Sequence, residues 1–492
     1  MKTIKLTYIL LLSIGLAVVA CSKKTTVDPN NGGGTNSGGT TTTPVKTDVK
    51  MWLTTQDQSQ LLSKQNISLL FSATTNSNTT INVDTTQTYQ GIDGFGFALT
   101  GGSAYVINAL PTTQRDALLN ELFSQTDSTA IGISYIRITI GGSDMSATTF
   151  TYDDMPTGST DVNLANFSIS PELTELIPVL KKIVSINPNI KILACPWTAP
   201  VWMKVSPIGN GGFEGGSLNT AYYATYAQYF VKYIQAMAAQ GVNIDAVTCQ
   251  NEPLNAYNTP AMTMQSNEEA NFIKNNLGPA FQTAGIKTKI IAYDHNCDHP
   301  EYPEAVLADA TANPFVDGSA FHLYAGDISA LSAVHNAYPA KNLYFTEQAT
   351  FSSGSFSGDL NWHVTNVIVG ATRNWSRNAL EWNLASDGNY GPHTTGGCST
   401  CQGAVTISGG AVTRNVSYYI VAHAAKFVKP GAVRIASDAN TTLPNVAFKN
   451  TDGSKVLIVL NSSNSLQNFN IKFNSKIVTT TIQPGAVATY KW

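Results

Sequence analysis

The 492-residue sequence is poor in charge: Asp, Glu, Lys and Arg together make up only 12% of it, and the net charge is −3. A chain so sparing of cations has no basic stripe with which to track a polyphosphate, which argues against nucleic acid as a partner. Cysteine is scarce too, at 6. Cys398 and Cys401 form one CxxC in the loop GCSTCQG, but there is no second CxxC to complete a zinc site. A local disulfide is the better expectation for that loop in an exported protein. Cys195, Cys249 and Cys297 lie in or just after apolar strand-like runs and read as packed thiols. The first strand's Gly-rich turn also lacks the helix-opening GxGxxG phosphate cradle, which argues against an open doubly wound nucleotide-binding sheet. His295 and His299, beside Asp294 and Asp298 in YDHNCDHP, read as solvated or rim-lining loop residues rather than metal ligands. No metal and no cofactor is expected.

At the start of the chain, Lys2 and Lys5 precede YILLLSIGLAVVA, an apolar run too short to span a bilayer comfortably that ends on small residues before Cys21. Residues 1–20 therefore read as a signal peptide. The VVAC ending resembles a bacterial lipobox, so Cys21 is the expected lipidation site and an outer-membrane lipoprotein, periplasmic or cell-surface, the expected product. Residues 21–48 are Gly-, Thr- and Asn-rich with little to bury, and read as a flexible tether reaching about 25–30 Å. The lipid anchor is the sole membrane contact expected, and the protein is expected to be a monomer.

From residue 91 onward, short apolar runs alternate with segments of helical period. The strands are GIDGFGFAL, ISYIRITI, IKILACPW, IDAVTCQ, KIIAYDH, SAFHLY, NLYFTEQ and ALEWNLA, with helices such as PTTQRDALLNELF and PELTELIPVLKKIV between them. Tyr223, Tyr226, Phe230 and Tyr233 recur at steps of three and four, a packing stripe. Eight such alternations predict an α/β fold, a closed (β/α)₈ TIM barrel over residues 89–430. After Pro430 the period changes to two, and residues 431–492 read as β-sandwich strands. So small a unit is expected to recruit strands from residues 49–88, namely ISLLFS and TINVDTTQ, joining both chain ends in one sandwich.

In such a barrel the C-terminal ends of the strands share one mouth. Strand two carries Arg137 and runs on to Asp144; strand three ends near Trp197, strand four at Asn251-Glu252, strand six at His322 and Tyr324, strand seven at Glu347 and strand eight at Trp382-Asn383. A carboxylate closing a buried strand costs free energy unless it is paired or used. Two of them facing one cleft are what glycosidic cleavage requires, at roughly 5 Å for retention of configuration. Of the remaining rim aromatics, Trp202 reads equally as a sugar platform or as packing.

In order along the chain, QGIDGFGFALTGGSA, YIRITIGGSDMS, ACPWTAPVWMK, VTCQNEP, FHLY, FTEQA, EWNLASDGNYGPH and YYIVAHAAKFVKPGAVRI resemble glycoside hydrolase family 30, which includes glucosylceramidases and endo-β-1,6-glucanases. The resemblance spans about residues 89–434. It implies Glu252 as acid/base and Glu347 as nucleophile, with Arg137 bracing the nucleophile. It also implies that Asn251 binds the sugar 2-hydroxyl, Asp144 and Trp197 the other hydroxyls, and that Trp382 forms the floor, with His322 and Tyr324 as the family's strand-six pair. Phe97, Gly101 and Leu323 depart from common family residues and touch subsite detail. In the resting site Glu347 is expected to be ionised and Glu252 to hold the proton. The expected substrate is a β-1,6-linked glucan. Glucosylceramidase, β-glucosidase and β-xylosidase action remain alternatives on the same fold, and a catalytically inactive glycan-binding lipoprotein is the alternative of another class.

Overall fold

The computed structural model describes residues 45–492; the expected signal peptide, the expected lipidation site Cys21 and nearly all of the expected tether fall outside the described residues. Eight parallel strands form the barrel: β1 (Gly94–Ala98), β2 (Tyr135–Thr139), β3 (Lys191–Cys195), β4 (Ala246–Thr248), β5 (Lys289–Cys297), β6 (Val316–Gly326), β7 (Asn342–Glu347) and β8 (Asn378–Asn383). They pair in sequence order from β1 to β7, and β8 pairs back on β1. The remaining seam is closed by a Leu343–Ser376 bridge, by Arg377 N–H donating to the Leu343 carbonyl at 2.9 Å and by Phe345 N–H donating to Asn378 Oδ1 at 2.8 Å. Strands buried on both faces are apolar throughout, which is why they read as continuous runs. Close strand approach fixes one glycine: a Cβ on Gly96 of β1 would collide with the Tyr135 carbonyl of β2.

Helices pack outside the strands. Tyr226, Tyr229, Phe230 and Tyr233 of the helix Tyr223–Ala239 are wholly buried against the barrel, as their spacing implies. Trp202 is also structural: its indole N–H donates to the Asp153 carbonyl at 2.9 Å, and its ring packs edge-on against Tyr222. Among the described residues no helix is long and apolar enough to cross a membrane.

Strands from both ends of the chain share one nine-stranded sheet. Lys50–Thr54 pairs antiparallel with Val487–Lys491, and the long strand Thr79–Gly91 lies between Val433–Ser437 and Gln467–Phe473. TINVDTTQ belongs to that long strand. ISLLFS does not form the expected strand; its backbone pairs with the sheet only through a single Ser72–Ile477 bridge. Its apolar residues alternate poorly: Leu69 is buried while Ile67 and Leu70 are exposed, so no face is available to pair. The sheet is fastened to the barrel by His423, wholly buried on the last barrel helix. Its two ring nitrogens meet Thr489 and Thr54 hydroxyls at 2.8 Å each.

Candidate active site

The C-terminal ends of the strands surround a cleft of about 540 Å³ lined by Asp144, Glu252, Tyr324, Glu347 and Trp382 among others. Glu347 is the last residue of β7 and is nearly buried. Its Oε2 accepts from Arg137 Nη1 at 2.6 Å and its Oε1 from the Tyr324 hydroxyl at 3.0 Å. Glu252 follows β4 with φ of 44°, a left-handed conformation that costs a non-glycine residue about 1–2 kcal/mol. Its backbone N–H is held by the Asp294 carbonyl at 3.0 Å, and its Oε2 accepts from Asn255 Nδ2 at 2.8 Å. One oxygen of Glu252, one of Glu347 and a ring nitrogen of His322 all lie within 4.8 Å of one another.

The residue that organises this cluster is one to which sequence reasoning gave no role. Asp294 lies within β5 and is wholly buried. A bulge at Tyr293–Asp294, both at positive φ, turns it inward. Its Oδ2 accepts from Arg137 Nη2 at 2.8 Å and the Thr248 hydroxyl at 2.8 Å; its Oδ1 accepts from the Thr346 hydroxyl at 2.6 Å and His322 Nε2 at 3.1 Å. The sequence signal was present, since YDH closes an apolar run just as NEP does. His295 likewise is buried in the strand and lines the cleft, whereas His299 and Asp298 are the exposed pair.

Arg137, wholly buried in β2, therefore bonds Glu347, Asp294 and Asn251, whose Oδ1 lies 2.6 Å from Nη2. Its guanidinium also sits over Trp197 at 4.8 Å and Trp382 at 5.7 Å. The two indoles pack at 5.4 Å. Trp382 reaches the cleft; Trp197 is not among the lining residues, and its buried indole N–H has no partner within the protein. The sequence-derived residues Arg137, Asp144, Trp197, Asn251, Glu252, His322, Tyr324, Glu347 and Trp382 thus converge on one site, with Arg137, Trp197, Asn251 and His322 buried behind the residues that line the cleft.

Burial opposes every charge here, and the local partners decide each outcome. For Asp294 burial is outweighed by Arg137 and His322, holding its carboxyl well below the usual range. Burial also opposes the His322 cation, but Glu347 and hydrogen bonds to Asp294 and Glu252 raise it to about 9. For Glu252 burial is outweighed by the hydrogen bond and charge of His322, bringing it down to about 2. Burial raises Glu347, partly offset by His322 and Arg137. Burial, then the charges of Glu347 and Glu252, lift Asp144 to about 7. The expectation that Glu252 itself holds the proton in the resting site is thus corrected. His322 Nδ1 lies 3.3 Å from Glu252 Oε1, and the charge and hydrogen bond of His322 favour the ionised carboxyl. No spacing along the chain signals this contact, which joins residues from two different strand ends.

Glu252, His322 and Glu347 also present three donors to a metal. His322 Nε2 is held by Asp294, and Nδ1 lies within reach of Glu252 Oε1 for proton exchange.

Residues 92–428 match the glycosyl hydrolase family 30 TIM-barrel domain, and residues 431–490 match the family's beta sandwich domain. The chain belongs to glycoside hydrolase family 30. Like the family, it is a retaining glycoside hydrolase. A family 30 relative, the endo-1,6-beta-D-glucanase of Neurospora crassa, is 40% identical over 387 residues, covering 76% of this chain and 79% of the relative. The lysosomal acid glucosylceramidase of Mus musculus is 30% identical over 82% of this chain and 81% of its own length. Among solved structures, an endo-β1,6-glucanase superposes with a TM-score of 0.84 at 37% identity, covering 91% of this chain and 99% of that one.

Proposed function

We propose that this chain is an endo-β-1,6-glucanase acting by double displacement, with Glu347 as nucleophile and Glu252 as acid and base. The observation that carries the chemistry is the carboxylate pair facing one cleft with oxygens within 4.8 Å. Inversion needs about 6.5 Å or more, room for a water between the carboxyls. The linkage rests on likeness to relatives named endo-1,6-β-glucanases and on the chemistry of the mouth, where Asn255, Asn258, Asn296, Asp298 and His299 line the approach. A hydroxyl-rich glucan pairs with such groups, whereas the alkyl chains of a ceramide would strand them.

In this reading Glu347, oriented by Arg137 and Tyr324, attacks the anomeric carbon while the departing oxygen takes a proton from Glu252. That proton starts on His322. A bound sugar removes the remaining water from Glu252, and a drier cleft favours neutral histidine and neutral acid over an ion pair. The proton therefore crosses to Glu252 when a leaving group is in place. Once the glycosyl ester forms, Glu347 has lost its charge, and Glu252 deprotonates the incoming water. Asn251, whose Oδ1 is taken by Arg137, offers its NH₂ to the 2-hydroxyl. Asp144, with Oδ1 unpartnered, bonds another hydroxyl, and Trp382 is the floor, stiffened by Trp197 beneath it.

The test is a product profile on pustulan, laminarin, xylan and glucosylceramide, with the anomeric configuration of the first product followed by NMR. Retained β-1,6-oligosaccharides from pustulan are expected. Turnover of glucosylceramide alone, an inverted product, or binding without turnover would overturn the assignment.

A further inference from the structure

Cys398 and Cys401 are joined in a disulfide, and both line the cleft that holds Asp144, Glu252 and Glu347. The loop carrying them is attached on two sides. On one side Thr394 N–H donates to the Asp144 carbonyl at 2.8 Å, the Thr394 hydroxyl bonds the Thr259 carbonyl at 2.6 Å, and Gly397 N–H returns to the Thr394 carbonyl at 3.0 Å. Gly397 lies so close to the Asp144 carbonyl that a Cβ there would collide with it. On the other side Cys401 pairs with Phe351, Gln402 with Thr350, and Ser352 N–H donates to the Thr400 carbonyl at 2.8 Å. Thr350 follows Glu347 closely along the chain. The cross-link thus joins the segment resting on Asp144 to the segment continuing from Glu347.

Asp144 has the most to gain from this. It is buried, its Oδ1 has no partner within the protein, and the Cys398 backbone N–H faces its carboxyl. Gly396, at φ of 85°, and Gly397 precede Cys398, so without the cross-link the chain touching Asp144 would be held by the Thr394 and Gly397 hydrogen bonds alone. Global stability is a poor account of the bond, because closing so short a loop constrains the unfolded chain little.

We propose that the Cys398–Cys401 disulfide is a positioning element of the sugar-binding site. It clamps residues 394–398 against the strand at Phe351 and so sets the Asp144 carboxyl for a sugar hydroxyl. The inference rests on the reading of Asp144 as a sugar ligand.

A double-mutant cycle tests it with the full chain and β-1,6-glucan. Asp144→Asn is expected to lower kcat/KM about tenfold, the loss of a hydrogen bond to a charged group. The Cys398→Ser/Cys401→Ser variant should lose about three- to tenfold, mostly through KM, and adding it to Asp144→Asn should cost nothing further. Should the serine variant fold poorly, dithiothreitol reduction of the wild-type disulfide must give the same loss, reversed on reoxidation. Wild-type kcat/KM without the cross-link, or losses that multiply with Asp144→Asn, would overturn the proposal. Full activity of Asp144→Asn alone would instead remove Asp144 as a sugar ligand.

Discussion

Replacing Asp294 with Asn probes the centre of the site without touching either proposed catalytic carboxylate. The Asp294 carboxylate accepts from four donors, Arg137 and Thr248 on one oxygen and Thr346 and His322 on the other. Whichever way an amide is turned, its NH₂ faces two groups that also donate, so at least one buried pair is lost and Arg137 keeps too little counter-charge. Breaking a buried ion pair by removing one partner costs about 3–5 kcal/mol. The sign with pH follows from the depressed carboxyl. Its contribution is complete above the unfolded aspartate value near 3.9 and disappears as pH falls through the lower folded value. Asp294→Asn should therefore melt about 3–5 °C below wild type at pH 6, with the gap narrowing toward strong acid. Activity should fall as well, since Arg137 orients Glu347 and His322 bonds Glu252. The assay is a set of thermal melts from pH 3 to pH 7 alongside kcat/KM on β-1,6-glucan. A melt within about 1 °C of wild type at pH 6 would refute the claim that Asp294 anchors the cluster.

Glu252→Ala should lose about 10²–10⁴ in kcat on glucan yet retain activity on an aryl glucoside whose leaving group needs no proton, with azide restoring turnover as a glycosyl azide; equal loss on both substrates would remove the acid role. The basic limb of kcat/KM should follow the His322–Glu252 proton near pH 9, because the raised His322 is protonated below that value and neutral above it; His322→Asn should move that limb. Tyr257, 88% exposed on the cleft-lining loop that carries Asn255, should stack on the departing chain, so Tyr257→Ala should lower kcat/KM on long glucan about fivefold and leave an aryl glucoside unchanged. Burial pushes His423 down to about 3, so its neutral form stabilises the fold above the unfolded value near 6.5 and that stability is lost as pH falls below it; His423→Gln should flatten the decline in melting temperature between pH 6.5 and pH 4.

The barrel was legible because its strands are buried on both faces, so β2, β3 and β7 appear as apolar runs whose closing residues stand out. Glu252 and Glu347 were found that way, as was Arg137, the lone charge inside β2. Asp294 was missed although it lies in an equally apolar run. The bulge that turns it inward depends on register with β6, which one strand's composition does not carry. The resting protonation of Glu252 was misjudged for a similar reason: it follows from His322, a contact made through space between β4 and β6. ISLLFS shows the reverse error, an apolar stretch with no sheet position to fill.

The pairing of Lys50–Thr54 with Val487–Lys491 bears on how the molecule is made. Along the chain the earlier strand comes first, and its edge stays uncovered until a strand that follows the whole barrel is available. The sheet is thus completed after the barrel, and its docking through His423 and Thr489 is a late event.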